Sequence, residues 1–297
     1  MPSIKAIKQR RNVVINMKQA MKAMNLVATA KLRKSRERWG NTLPFLEGTD
    51  SIMMGAAKSP ATAENVYVKE RDKGYKTTGY IVFTSDRGKC GSYNINICKA
   101  VLAHASAHGK NAVMLPVGGR GVDFFLSHSQ SIHKQLGAMP ENPTFEDAEV
   151  MGLSVLEDFC ATEHGEVLPG EIDELYIAFT RFNTVLSLEP TIEPVLPISL
   201  RLEAEPDNDT EPPEMEYDPD VDSFLGYMAP MYFNTKIYGA MLEAALCEQA
   251  ARMVATDTAV NNAEELVEKL TLQYNRQRQG IITQEITEIV SGASALT

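Results

Sequence analysis

No proline follows Pro230, and no glycine lies between Gly239 and Gly280. Residues 3–39 contain neither. Proline and glycine cost a helix interior about 3 and about 1 kcal/mol relative to alanine, so nothing at either end of the chain breaks a long helix. Cysteine is scarce: Cys90, Cys98, Cys160 and Cys247 are scattered with no CxxC pair. That spacing excludes a structural zinc site and fits a reducing compartment, with the thiols as small buried hydrophobes. No apolar run reaches the roughly 18 residues a membrane helix needs. The opening MPSIKAIKQRRNV has no apolar core of the kind a secretion signal carries.

Positive charge is concentrated at the start of the chain, and acidic residues outnumber basic ones in the rest. Residues 1–39 carry eleven Lys and Arg against Glu37 alone, in a chain of net charge −10. Such an arm seeks an anionic partner: nucleic acid, a membrane surface or acidic protein loops. Trp39 is its one aromatic residue, so the stacking platforms of a single-strand binder are missing. Its apolar positions Ile4, Ile7, Val14, Met17, Met21, Met24, Ala28 and Leu32 fall at three- and four-residue steps, with Arg11 interrupting. That is one helical stripe, with Ser3 as its N-cap, extending to about Ala57. At the other end, Tyr238 to Leu296 is rich in Ala, Leu, Glu, Gln, Arg and Met, the residues that lose least on entering a helix. Neither helix can bury its stripe against itself, and the simplest solution pairs them as an antiparallel coiled coil.

Between the ends the periodicity changes. GYIVFTS (79–85), NAVMLPVGG (111–119) and IDELYIAFTRF (172–182) read as strands, and TVLSLEPTIEPVLPI (184–198) contains a fourth that forms a hairpin with the third. SYNINICKAVLAHASAHG and residues 144–165 read as the helices between. The fold class is therefore α/β: a long antiparallel coiled coil of N- and C-terminal helices plus a central Rossmann-like α/β domain. The expected divisions are 1–57 for the first coiled-coil helix, 75–200 for the central domain, 201–222 for an acidic connector and 223–297 for the second helix. The connector holds ten acidic residues, four prolines and one basic residue, a composition that packs no core.

No catalytic constellation emerges. SDRGKCGSYN lies between a strand and a helix, where phosphate loops sit, but lacks GxxxxGK[ST]; VGGRGVDFF lacks GxGxxG. It reads as a glycine-shaped turn. His104 and His108 are four apart, without an HExxH or a third ligand, and with His128, His133 and His164 they read as surface histidines. No catalytic, cofactor or metal site is expected.

Three blocks resemble the gamma subunit of the rotary F-type ATP synthase. They are IKAIKQRRNVVINMKQAMKAMNLVATAKLRKS, FTSDRGKCGSYNINICKA, and the run from EQAARMVATD to ITEIVSGASAL. The chloroplast-type dithiol insert and a mitochondrial transit peptide are missing, so the resemblance is to bacterial forms. It implies a non-catalytic rotor shaft inside a ring of alternating alpha and beta subunits, with epsilon beside its foot. The foot would rest on a c-ring. The shaft would couple ion-driven rotation to ATP synthesis and hydrolysis at beta. The implied location is the cytoplasmic face of the cell membrane, held there only through the complex. No cofactor and no nucleic acid are implied.

Carried over residue by residue, the resemblance makes Met24 of the KAM motif, Lys22, Lys31, Arg33 and Lys34 candidates for contact with beta's acidic loops. Arg278, Gln279 and Thr283 match an RQxxxT triplet that hydrogen-bonds beta. Ile281, Ile282, Ile286, Ile289 and Val290 would line an apolar sleeve at the ring's top or pair with the opposing helix. Tyr217 and Asp218 match the c-ring contact. Asn25 and Leu26 depart from the family pattern after KAM, and Gly280 interrupts a helix. Two readings from other classes stay open here: a free-standing α/β enzyme with helical arms, and a coiled-coil scaffold for nucleic acid.

Overall fold

A computed structural model describes residues 3–71, 76–108, 111–163, 166–204, 217 and 220–294. The chain divides into two compact units, residues 30–251 and the two chain ends together, residues 1–29 with 252–297.

The larger unit is built on a four-stranded sheet. Its strands are β1 (Thr77–Phe83), β2 (Asn111–Val117), β5 (Glu174–Phe182) and β6 (Leu188–Leu196), in the order β2-β1-β5-β6. β1 runs parallel to β2 and β5, and β6 returns antiparallel to β5. The fourth strand thus forms the hairpin expected from Phe182 and Asn183. β1 is buried on both faces, as a continuous apolar run in a parallel sheet requires. Tyr80 and Val82 face Ile97 and Val101 of α2 (Tyr93–His108) and Phe125 of α3 (Gly119–Ser127). Ile81 and Phe83 join the other core, with Val155 and Phe159 of α4 (Phe145–Phe159) and Tyr232 and Phe233 of α6 (Val221–Ser294). Each such fully buried side chain is worth about 1.5–3 kcal/mol. On that face Gly152 lets α4 approach α6 closely, since a Cβ there would lie 1.8 Å from Asn234 Oδ1.

Local chemistry sets the helix ends. Thr144 and Asp147 form a reciprocal capping box at the start of α4. Asp220 caps α6, its Oδ1 accepting from the Ser223 N–H at 2.8 Å. Ser3 Oγ accepts from the Ala6 N–H at 3.3 Å at the head of α1 (Ile4–Ala57).

The structure corrects several expectations. The helix expected over 144–165 stops at Phe159, and a hairpin of β3 (Cys160–Glu163) and β4 (Glu166–Pro169) follows. The Gly170 N–H takes the Phe159 carbonyl at 2.8 Å and the Ile172 N–H takes that of Asp158 at 3.0 Å. The helix's last acceptors are thus spent on the returning chain. VGGRGVDFF contributes most of α3, a helix its glycines concealed. The acidic stretch is not all connector: Arg201 lies in α5 (Ile198–Ala204) and α6 begins at Val221, carrying Pro230 inside it. Residues 205–216 and 218–219 lie outside the described residues. His108, His128 and His133 are exposed as expected, while His104 is half-buried, its Nδ1 2.9 Å from the Tyr80 hydroxyl. His164 is outside the described residues.

One buried cation locks the α4 end to the sheet. Arg71, with 7% of its side chain exposed, pairs with Asp173, 3% exposed, at 3.1 Å. It also donates to the carbonyls of Ile172 at 2.7 Å, Gly170 at 3.3 Å and Phe159. Removing one partner of a buried pair strands the other charge. Arg71→Met is therefore expected to lower stability by about 3–5 kcal/mol in urea unfolding. A change below about 1 kcal/mol would show that the pair contributes little.

Candidate functional site

The smaller unit consists of the helix pair. Ile7 and Val14 of α1 cluster with Ala263 and Leu270 of α6, joined by Val267 and Tyr274. Residue numbers rise on one helix as they fall on the other, so the pair is antiparallel. On α1 the inward positions repeat every seven residues in two rows. Ile7 and Val14 begin an apolar row that continues to Met21 and Ala28, all buried or half-buried.

The second row is polar, and its members have specific partners across the pair. The Arg11 guanidinium lies over the Tyr274 ring, 5.3 Å from its centroid. Lys18 Nζ meets Glu264 Oε1 at 2.6 Å, and that lysine is the main cause of the lowered carboxyl pKa of Glu264. Asn25 Nδ2 donates to the Met253 carbonyl at 2.9 Å and to Thr256 Oγ1 at 3.2 Å. Arg11 therefore belongs to the seam rather than breaking it, and Met17 points away from it, 51% exposed. A Met-for-Lys exchange of position within one helical step explains the misreading: hydrophobicity alone favours Met17, while the seven-residue repeat selects Lys18.

Past Tyr274 the pair ends, because α1 begins at Ile4 and α6 continues to Ser294. Every residue from Arg278 to Ser291 is exposed. This segment holds Arg278, Gln279 and Thr283, and the isoleucines at 281, 282, 286 and 289, which are 39–70% exposed, with Val290 at 58%. Among the described residues none of α1 covers these apolar side chains. A Cβ on Gly280 would meet nothing within 4 Å, so the chain's own packing does not demand glycine there.

The basic residues of α1 behave differently from one another. In the smaller unit Lys22 is exposed and Met24 half-buried. In the larger, Arg33 and Lys34 are exposed, while Lys31 Nζ is 2.6 Å from Glu141. Tyr217 packs its ring against Phe224, centroids 5.2 Å apart, and its buried hydroxyl has no hydrogen-bond partner among the described residues. Asp218 lies outside the described residues.

The turn after β1 supplies acceptors to the first N–H groups of α3. At the start of α3 the Gly119 N–H is taken by Asp86 Oδ1 at 2.9 Å and the Gly121 N–H by Thr84 Oγ1 at 2.8 Å. The Arg120 N–H donates to the Ser85 carbonyl at 3.1 Å. The positive end of the helix thus faces Asp86, whose Oδ2 also accepts from the Met139 N–H at 3.0 Å. Asn94 completes the turn, its Oδ1 accepting from the Ser85 N–H at 2.8 Å. Gly118 adopts φ +87°, and a Cβ there would sit 2.3 Å from the Thr84 carbonyl oxygen. Among the described residues the cysteines are free and buried, and burial pushes the Cys98 thiol up to about 12. Such thiols are inert at neutral pH.

Two terminal helices paired through a mixed seam, one overrunning the other, with an α/β domain inserted between them, define a central-stalk class of fold. A family model described as ATP synthase matches residues 3–296. The sodium-ion-specific ATP synthase gamma chain of Acetobacterium woodii is 36% identical over 309 residues, spanning 99% of each chain. That of Staphylococcus epidermidis is 35% identical over 299 residues, spanning all of both. Among solved structures, the central stalk and c-ring of the Tetrahymena thermophila mitochondrial ATP synthase gives a TM-score of 0.62 at 22% identity, covering 81% of this chain and 99% of that one. The OSCP/F1/c-ring structure from Euglena gracilis gives 0.65 at 18% identity, covering 99% and 94%. The chain belongs to the gamma-chain family of the ATP synthases.

Asn25→Ala removes two hydrogen bonds across the helix pair. The expected cost is about 1–3 kcal/mol, read as a lower midpoint in thermal unfolding followed by circular dichroism. An unchanged midpoint would mean that Asn25 does not set the register.

Proposed function

We propose that this chain is the central rotor shaft of an F-type ATP synthase, a non-catalytic subunit that turns inside a ring of alpha and beta subunits. The observation that carries this reading is the exposed end of α6 beyond Tyr274. It projects forked donors at Arg278 and Gln279, then a collar of isoleucines that α1 leaves uncovered. The full-length match to gamma chains supports it.

The mechanism follows from differential contact. A partner shifts a two-state equilibrium only by the difference in its interaction with the two states. Driving one catalytic subunit from nearly all closed to nearly all open takes about 5.5 kcal/mol. A few charge-assisted hydrogen bonds, about 1.5–3 kcal/mol each, supply that. Arg278, Gln279 and Thr283 are the residues assigned to this contact, with Lys22, Arg33 and Lys34 as further cations facing acidic loops of beta. Met24 joins them as an apolar contact beside those loops. Lys31 contributes to the same surface only by leaving Glu141. The isoleucine collar suits a bearing because apolar contact is non-directional and breaks no oriented bond on turning. Gly280, unconstrained within the chain, answers to the ring instead.

Tyr217, whose hydroxyl has no hydrogen-bond partner among the described residues, and Asp218 are assigned to the c-ring, and epsilon is the neighbouring subunit. Among the described residues no helix is long and apolar enough to cross a membrane, so membrane attachment runs through the complex, at the cytoplasmic face. Asp86, Thr84 and Ser85 occupy the helix end where a phosphate would bind, which favours the shaft over the enzyme reading.

Arg278→Ala is expected to lower ATP-driven proton pumping about tenfold in reconstituted complexes, equivalent to about 1.4 kcal/mol of lost contact. Its circular dichroism is expected to match the wild type, because the side chain is exposed. Unchanged turnover and pumping would refute the contact.

A further inference from the structure

The larger unit has a half-open pocket of about 130 Å³ between α1, α6 and the β5–β6 hairpin. Its apolar wall is Trp39, Leu43, Leu46 and Phe179. A cavity of about 150 Å³ takes up benzene, so this one has room for a single six-membered ring.

Four charged side chains also line it: Arg181, Glu193, Lys236 and Glu243. Three are committed. Arg181 and Glu193 form an ion pair with each other. Lys236 Nζ lies 2.5 Å from Asp50 Oδ1, and burial holds its pKa below the ordinary lysine value. Glu243 is left. It is nine-tenths buried, and its one hydrogen bond is accepted by Oε1 from the Phe182 N–H at 2.8 Å. Among the described residues its second oxygen has no hydrogen-bond or ion-pair partner. Burial raises the Glu243 carboxyl pKa, with the Phe182 N–H and the Arg181 charge acting the other way. A carboxylate with one oxygen unpaired and open to the pocket gains from a cation, because a charge-assisted bond there is stronger than a neutral one.

We propose that this cavity is a binding site for a small monocyclic organic ammonium, its ring held between Trp39, Leu43 and Phe179 and its cationic nitrogen on Glu243. The aromatic wall adds cation–π attraction near the ring mouth. Specificity rests on charge, because the apolar wall accepts any ring of that size.

Trp39 is the only tryptophan in the chain, so its emission reports on the cavity directly. The full-length protein is titrated with benzylammonium, and separately with benzyl alcohol and benzoate, which keep the ring and lose or reverse the charge. The expected result is a saturable change with benzylammonium and at least about tenfold weaker binding of the other two, about 1.4 kcal/mol at the tenfold limit. Glu243→Gln is expected to remove that preference while still admitting benzyl alcohol. Should Glu243→Gln fail to fold, the three ligands on the unaltered chain decide the matter. Equal affinity for benzylammonium and benzyl alcohol, or no saturable change in the folded chain, would overturn the site.

Discussion

Antiparallel contact between the two ends of the chain is the constraint from which the rest of the structure follows. An amphipathic helix of 54 residues and one of 74 each expose a stripe that no short element covers. Pairing them hides the stripes, and it requires the first and last segments of the sequence to meet. Everything between must then leave from one helix and return to the other. The α/β domain does this, with β1 following α1 and β6 leading through α5 toward α6. The sheet's second core is made partly by α6 itself, through Tyr232 and Phe233.

The seam between the helices is deliberately unlike a uniform apolar zipper. Ile7 and Val14 supply non-directional burial, while Arg11, Lys18 and Asn25 each answer one partner on α6. Polar residues at core positions give up stability and specify register. For a shaft this matters more than tight association, because a slip by one heptad would move Arg278 and the isoleucine collar relative to whatever they touch. The exposed Lys18–Glu264 pair adds little energy on its own. Its value lies in direction, since the reverse register would bring unlike partners opposite one another.

Much of this was legible in the sequence. Absence of proline and glycine marked both long helices, and β-branched runs marked the strands, because these signals are local. The blocks resembling gamma chains pointed to the family that the full-length matches then showed. What stayed hidden depends on contacts far apart in the chain. Asn25 looked like a departure from pattern until Met253 and Thr256 stood opposite it. Arg71 gave no hint in the sequence of its buried pairing with Asp173. The helix in VGGRGVDFF went unread, because Asp86 and Thr84, more than thirty residues earlier, supply its first-turn acceptors. Nothing local in the sequence marks Glu243, which the fold brings to the pocket wall. Hydropathy also misjudged Met17, because a seven-residue repeat outranks the apolarity of a single side chain.

The most direct test of a rigid axle is to tie its two helices together. Asn25→Cys combined with Thr256→Cys places two thiols at a pair of side chains now in hydrogen-bond contact, while the native cysteines are buried. The measurement is ATP-driven rotation of the assembled complex, before and after oxidation of that pair. A shaft that turns as one body predicts rotation and torque unchanged by the cross-link. Rotation abolished by oxidation and restored by reduction would contradict it, because the helices would then have to slide or part during turnover.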